Sequence, residues 1–244
     1  MRIKGSIRTY SWLFTAIAIA VLSSCRKTYD PVPEHLYNMY PIEEGRYKIF
    51  YAIDSNFASI NGREGRTFYK KEETGTSEPD LMGRSVNRLY IYEATDSTDS
   101  TGTPLLDFQY KELWTEYKDE YFAERIEGNT RYLALKLPPV LGTSWNGNLY
   151  NSEGAAVYEV TSQDTTITVQ GVTYKNCVFL LKKPYRLIQF NELYIREYSY
   201  EIYAPGIGRI VRHEDYLEIQ NPGPGQDIIE EKSVYLHEEL VSHN

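Results

Sequence analysis

Ser144 stands in Gly142-Thr143-Ser144-Trp145-Asn146, the nearest approach in this chain to the glycine-flanked serine of a nucleophile elbow. That corner needs a second glycine and a helix after it, because the serine sits on a strained strand-to-helix turn. Position 146 is Asn, and no helical pattern follows. The histidines are His35, His213, His237 and His243; none are spaced i, i+4, and His237-Glu238-Glu239 lacks the second histidine of a helical zinc site. Pro205-Gly206-Ile207-Gly208 has no third glycine and leads into a strand pattern, so its glycines supply the φ of a tight turn rather than a phosphate cradle. Glu43 and Glu44, Glu230 and Glu231, and Glu238 and Glu239 are adjacent acids. Successive strand residues point to opposite faces, so these pairs read as solvated charge rather than acid–base couples. No catalytic residue, no metal-ligand set and no cofactor motif is expected from these patterns. Tyrosine is the remaining chemical signal, with 23 Tyr against 8 Phe and 3 Trp. Tyr194, Tyr198 and Tyr200 share one face of a single strand, with Arg196 between them. Such a row can stack sugar rings or line an apolar groove, join a protein interface, or fill a half-wet pleated surface.

One covalent chemistry does have its full context. Arg2, Lys4 and Arg8 precede an apolar run over 12–22 that is interrupted only by Thr15, and two small residues, Ser23 and Ser24, lead to Cys25. The run is about half the roughly twenty residues of a spanning helix and has the layout of an export signal. Leu22-Ser23-Ser24-Cys25 resembles a bacterial lipobox, which implies cleavage between Ser24 and Cys25 and lipid attachment at the Cys25 thiol. Each buried methylene contributes about 0.8 kcal/mol and one chain binds only marginally, so two or three chains make a lasting anchor. Signal removal takes three basic residues and no acids, moving the net charge from -8 to -11. It also leaves Cys177 as the one free thiol, inside the apolar stretch Cys177-Val178-Phe179-Leu180-Leu181, where it reads as a small buried hydrophobe.

The composition, 41% hydrophobic and 25% charged, excludes a disordered or collagen-like chain. The acidic balance excludes nucleic-acid binding that rests on phosphate neutralisation. Prolines 31, 33 and 41 mark residues 25–44 as a lipidated, extended tether, whose aromatic stretch 37–40 could pack onto the body. Residues 45–244 then form one domain. Strand patterns recur at 46–53, with Tyr47, Ile49, Tyr51 and Ile53 on one face, and at 66–71, 84–93, 131–137, 174–182, 192–203, 209–220 and 232–241. Residues 156–162 and 165–170 read as a hairpin turning at Gln163-Asp164, while 105–126 fits a strand or a helix. The fold class is all-β: a single antiparallel sheet of about ten strands curled into a barrel or part-barrel, with a β-sandwich as the alternative.

Tyr40-Pro41-Ile42-Glu43-Glu44-Gly45-Arg46-Tyr47, Gly142-Thr143-Ser144-Trp145-Asn146-Gly147-Asn148, Tyr158-Glu159-Val160-Thr161, Val172-Thr173-Tyr174-Lys175-Asn176-Cys177 and Tyr203-Ala204-Pro205-Gly206-Ile207-Gly208-Arg209-Ile210-Val211 are similar to segments of uncharacterised Bacteroidetes-type lipoproteins. The resemblance spans most of residues 40–244 and implies an envelope compartment and a β-rich body, with no functional residues to carry over. Arg26 stands where an Asp retains enterobacterial lipoproteins in the inner membrane, and Arg26-Lys27 replaces the acidic run that accompanies surface export. These departures imply the outer membrane, periplasmic face. Asp96-Ser97-Thr98, Asp99-Ser100-Thr101 and Asp164-Thr165-Thr166 resemble the O-glycosylation pattern of exported Bacteroidetes proteins, which would modify Ser97, Ser100 and Thr165. The expected function is a non-catalytic envelope lipoprotein that binds a small apolar or sugar ligand or an envelope protein. The alternatives are a periplasmic acceptor or carrier of lipid, and an accessory glycan-processing enzyme with two converging carboxylates.

Overall fold

The computed structural model describes residues 31–56, 64–102, 105–190, 192–220, 228–229 and 233–244. Residues 1–24, read as an export signal, and Cys25 lie outside them. Residues Pro33–Asn244 form one compact unit.

That unit is built almost wholly from strands: β1 (Tyr47–Asn56), β2 (Glu64–Pro79), β3 (Ser85–Thr95), β4 (Gln109–Lys118), β5 (Phe122–Glu127), β6 (Thr130–Lys136), β7 (Ser144–Asn146), β8 (Val157–Val169), β9 (Val172–Phe190), β10 (Leu193–Ala204), β11 (Gly208–Gln220), β12 (Ile228–Ile229) and β13 (Val234–His243). They form a single antiparallel sheet in the order β6-β5-β4-β3-β2-β1-β13-β11-β10-β9-β8-β7, with β12 on β11. Two meanders are thus joined where the first and last strands pair, for example Ala52 against Glu238. The free edges β6 and β7 meet through a hydrogen bond from Leu133 N to Gly147 O (2.9 Å) and another from the Trp145 indole to Leu133 O (2.9 Å). The sheet is therefore a nearly closed barrel, which removes most of the unpaired edge an open sheet would expose.

The structure settles one element left open by the sequence and corrects another. Residues 105–126, open between helix and strand, contain β4 and β5, because Trp114 and Glu116 must alternate with outward residues to reach the barrel interior. Residues 156–170 are one bulged strand, not a hairpin. Asp164 takes φ 56° within a register shift, and the actual turn is Gln170-Gly171, at φ 47° and 79°. The glycines of the β10–β11 turn do have the positive φ expected of them, 74° at Gly206 and 90° at Gly208.

A 3₁₀ turn, Glu34–Asn38, closes the barrel end at the β10–β11 turn. Leu36, Met39 and Tyr40 are buried in a cluster with Ala123, Leu135, Trp145, Tyr158, Val160, Leu180 and Tyr203, and Gly206 N donates to Asn38 O at 2.8 Å. The later half of the segment read as a tether is thus a plug, fixed by apolar residues that an extended linker would leave wet. A second cluster, which includes Val169, Tyr174, Cys177, Ile202 and Val211, lies where the β8–β9 hairpin packs over the outer face of the sheet.

Trp145→Phe keeps the buried ring but leaves Leu133 O without its indole donor. Urea denaturation is expected to show a loss of about 1–2 kcal/mol, the usual cost of an unmade buried hydrogen bond; an unchanged midpoint would show that the edge junction does not depend on that bond.

Candidate functional site

The inward rows of several strands change from apolar to charged along the barrel axis. On β10 the row runs Tyr203, Glu201, Ser199; on β9 it runs Val178, Leu180, Lys182; on β5 it runs Ala123, Arg125, Glu127. Beyond the plug lies a layer of buried charge. Arg209, 1% exposed, reaches from β11 to Glu72 on β2 and to Glu238 on β13 (3.1 Å). Lys70 joins the same two carboxylates at 3.2 and 2.9 Å, and Lys48 approaches Glu72 at 3.3 Å. Glu201 accepts from the Tyr203 hydroxyl (2.6 Å) and faces Lys182 (3.5 Å), Arg125 (3.6 Å) and Arg209 (3.6 Å). Aromatic rings complete the layer: Lys70 lies 4.6 Å from the Trp114 ring centroid and Arg209 lies 5.2 Å from that of Phe50.

Burial alone would raise these carboxyls, and the surrounding cations reverse the sign. Arg209, Lys70 and Lys48 hold Glu72 well below its usual range, and Lys70 and Arg209 lower Glu238. Lys182, Arg125 and Arg209 keep Glu201 ionised. Glu127 is brought down to about 2 by Arg125, whose guanidinium lies 2.6 Å away, and by Arg212 at 3.5 Å. Glu116 is the contrary case. Burial raises it, outweighing Lys48 and the 2.7 Å hydrogen bond donated by the plug residue Tyr40.

Next to this layer lies a cavity of about 490 Å³, within the roughly 300–1,000 Å³ of small-molecule sites. Its wall carries Arg125, Lys182 and Arg212 opposite Glu127, Glu201 and Glu214, with Ser199, the Tyr132 and Tyr158 rings, and a short apolar rim at Ala155, Ala156 and Val157. Glu214 is held ionised chiefly by Arg212, at 3.0 Å. Arg125, Lys182 and Arg212 each already face a carboxylate, so these charges are fixed and mutually compensated. Glu127, Glu201 and Glu214 are all ionised, so they accept hydrogen bonds and have no proton to give to a leaving group.

The residues singled out from sequence are placed elsewhere. Tyr198 and Tyr200 belong to a ring row on the opposite face of β10, which Tyr185 extends through Tyr198 and His213 through Tyr200. Phe179 of β9 stacks on Tyr200 at 4.8 Å and His213 of β11 stacks at 5.1 Å, so neither face of that ring is free for a sugar. Tyr194 is half-buried, and Arg196 between these tyrosines pairs with Asp215 at 2.9 Å. Ser97 and Ser100 are exposed in the β3–β4 loop, whereas Thr165 is half-buried with its hydroxyl 2.6 Å from that of Ser162. Cys177 is fully buried, and burial pushes its thiol up to about 11. Glu238, read as solvated, is instead 1% exposed, because it lies on the inward face of β13, against Ala52 and Arg212 in the register and paired with Lys70 and Arg209. The residues of the charged layer and the cavity went unnoticed because charge on a strand is normally assigned to water. Their signal is opposite charge at i, i+2 on one strand face: Lys70 and Glu72 in the layer, Arg125 and Glu127, and Arg212 and Glu214 in the cavity wall. Among the described residues, no group of three or more His, Cys, Asp or Glu is placed to hold a metal ion.

No protein-family model matches the chain, and no curated protein is similar to it. Among solved structures, the chain is similar to a candidate exported protein with a YmcC-like fold from Bacteroides fragilis, at 11% identity, covering 85% of this chain and 99% of that one, with a TM-score of 0.38. A likeness of that size transfers nothing to this chain.

Glu116 generates a pH signature. A carboxyl raised on folding adds stability that is full below its ordinary 4.5 and is lost as pH rises through the folded value. Glu116→Gln mimics the protonated acid and does not titrate. In denaturant unfolding the variant is expected to match the wild type near pH 4 and to exceed it at pH 8; a deficit at pH 8 would contradict the burial-raised carboxyl.

Proposed function

We propose that this chain is a non-catalytic lipoprotein of the cell envelope, held by lipid on Cys25 at the periplasmic face of the outer membrane, whose barrel receives a small polar ligand. The anchor is supported by the basic start, short apolar run and Leu22-Ser23-Ser24-Cys25, and the leaflet by Arg26 and Lys27. The ligand reading rests on one observation: the 490 Å³ cavity is walled by paired ions and tyrosine rings. Desolvating charge to meet hydrocarbon is costly, so this wall does not suit a fatty chain. A polyhydroxyl compound fits it. Hydroxyls both donate to Glu127, Glu201 and Glu214 and accept from Arg125, Lys182 and Arg212, while sugar C–H faces rest on Tyr132 and Tyr158. Ionised carboxylates in all three inner positions favour holding such a compound over cleaving it. The apolar-carrier alternative finds no support in this lining.

Ala155 lies exposed at the cavity rim, so Ala155→Trp blocks the mouth without entering the core. Calorimetric titration with a panel of mono- and oligosaccharides is expected to find a binder whose affinity falls at least tenfold in this variant, with thermal stability unchanged. A preference for phospholipid or fatty acid over every saccharide would overturn the ligand reading. Labelled palmitate entering the wild type but not Cys25→Ala tests the anchor separately; equal membrane retention of both forms would remove it.

A further inference from the structure

The outer face of the sheet carries two imidazoles that the cavity does not use. His213 on β11 lies directly opposite His237 on β13 in the antiparallel register, and their Nδ1 atoms are 3.3 Å apart. Two imidazole nitrogens bound to one tetrahedral ion at about 2.0–2.1 Å stand roughly 3.3–3.4 Å from each other. The two rings therefore already hold the bite of a tetrahedral chelate. On the far side of His237, Nε2 lies 3.2 Å from a Glu239 carboxylate oxygen. That hydrogen bond places the proton on Nε2 and leaves the Nδ1 lone pair facing His213, the way an outer carboxylate orients a histidine ligand. The His213 ring is held in turn, stacked by Tyr200 at 5.1 Å and met edge-on by Tyr235 at 5.5 Å. Both histidines are part-buried.

We propose that His213 and His237 form a two-imidazole site for a borderline divalent transition cation, Cu²⁺ ahead of Zn²⁺ by the usual order of affinities. In the empty site, His213 Nδ1–H donates to His237 Nδ1. On binding, His213 moves its proton to Nε2, so both rings stay neutral and no net proton leaves. Water fills the remaining coordination positions, which makes the ion exchangeable. The site is independent of the cavity and of the anchor.

The test uses the full, untagged chain titrated with Cu²⁺ or Zn²⁺ in competition with a chromophoric chelator. One equivalent is expected to bind, His213→Gln and His237→Gln are each expected to weaken it at least tenfold, and the double variant is expected to lose little more than either. Glu239→Gln is expected to weaken it by about tenfold, the usual effect of removing an outer partner. Electron paramagnetic resonance of the Cu²⁺-loaded wild type reads the ligands without any variant, and two imidazole nitrogens are expected. Affinity unchanged in both histidine variants, or a spectrum with one nitrogen or none, would overturn the proposal.

Discussion

The guanidinium of Arg209 is fully withdrawn from water and lies between Glu72 and Glu238, two carboxylates brought in by strands from opposite ends of the chain. A buried charge without partners costs several kcal/mol, so its presence dictates much of what surrounds it. β2, β11 and β13 must keep one register, since a slip of one residue would turn Glu72, Arg209 and Glu238 to the other face. Lys70, Lys48, Arg125 and Glu201 then have to follow, because each member neutralises the next. An apolar barrel of the same size would be as stable or more so, but its strands would have less to fix their register.

The same layer separates two tasks along the barrel. On the plug side, Leu36, Met39, Tyr40, Leu135 and Leu180 are buried together, and the Tyr40–Glu116 hydrogen bond ties that packing to the charged layer. On the other side, the paired charges continue as the walls of the cavity, already oriented by their partners. Side chains held this way lose little further freedom on meeting a ligand, which is how preorganised sites favour binding.

How much of this was legible follows from the strand rows. Turn signals and alternation placed most strands and the all-β class, and the glycines at 206 and 208 marked a real turn. The faces were harder. On β10, alternation separates Tyr194, Tyr198 and Tyr200 from Glu197, Ser199 and Glu201, and ordinary patterning puts the tyrosines inside. The barrel has the reverse arrangement: Glu201 is 1% exposed, while Tyr200 lies on the outer face under the β8–β9 hairpin. On β1, likewise, the face with Tyr47, Ile49, Tyr51 and Ile53 is the outer one, and Phe50 and Ala52 are fully buried. A charged lumen inverts the rule that polar rows face water. The partners that justify the inversion, Glu72 with Arg209 and Glu201 with Lys182, are far apart in sequence or on different strands. Only the i, i+2 pairs of opposite charge hinted at it. The His213–His237 pair was hidden for the same reason, since cross-strand register is not visible in spacing.

The claim that buried ion pairing organises the barrel is tested most directly by the unfolding free energy of Arg209→Met at neutral pH. The substitution keeps the stem's bulk and leaves Glu72 in the interior with Lys70 and Lys48, and Glu238 with Lys70 and the more distant Arg212, as remaining cations. A loss of about 3–5 kcal/mol is predicted, the cost of breaking a buried pair from one side. A loss under about 1 kcal/mol would contradict it, since the two carboxylates would then not need the guanidinium.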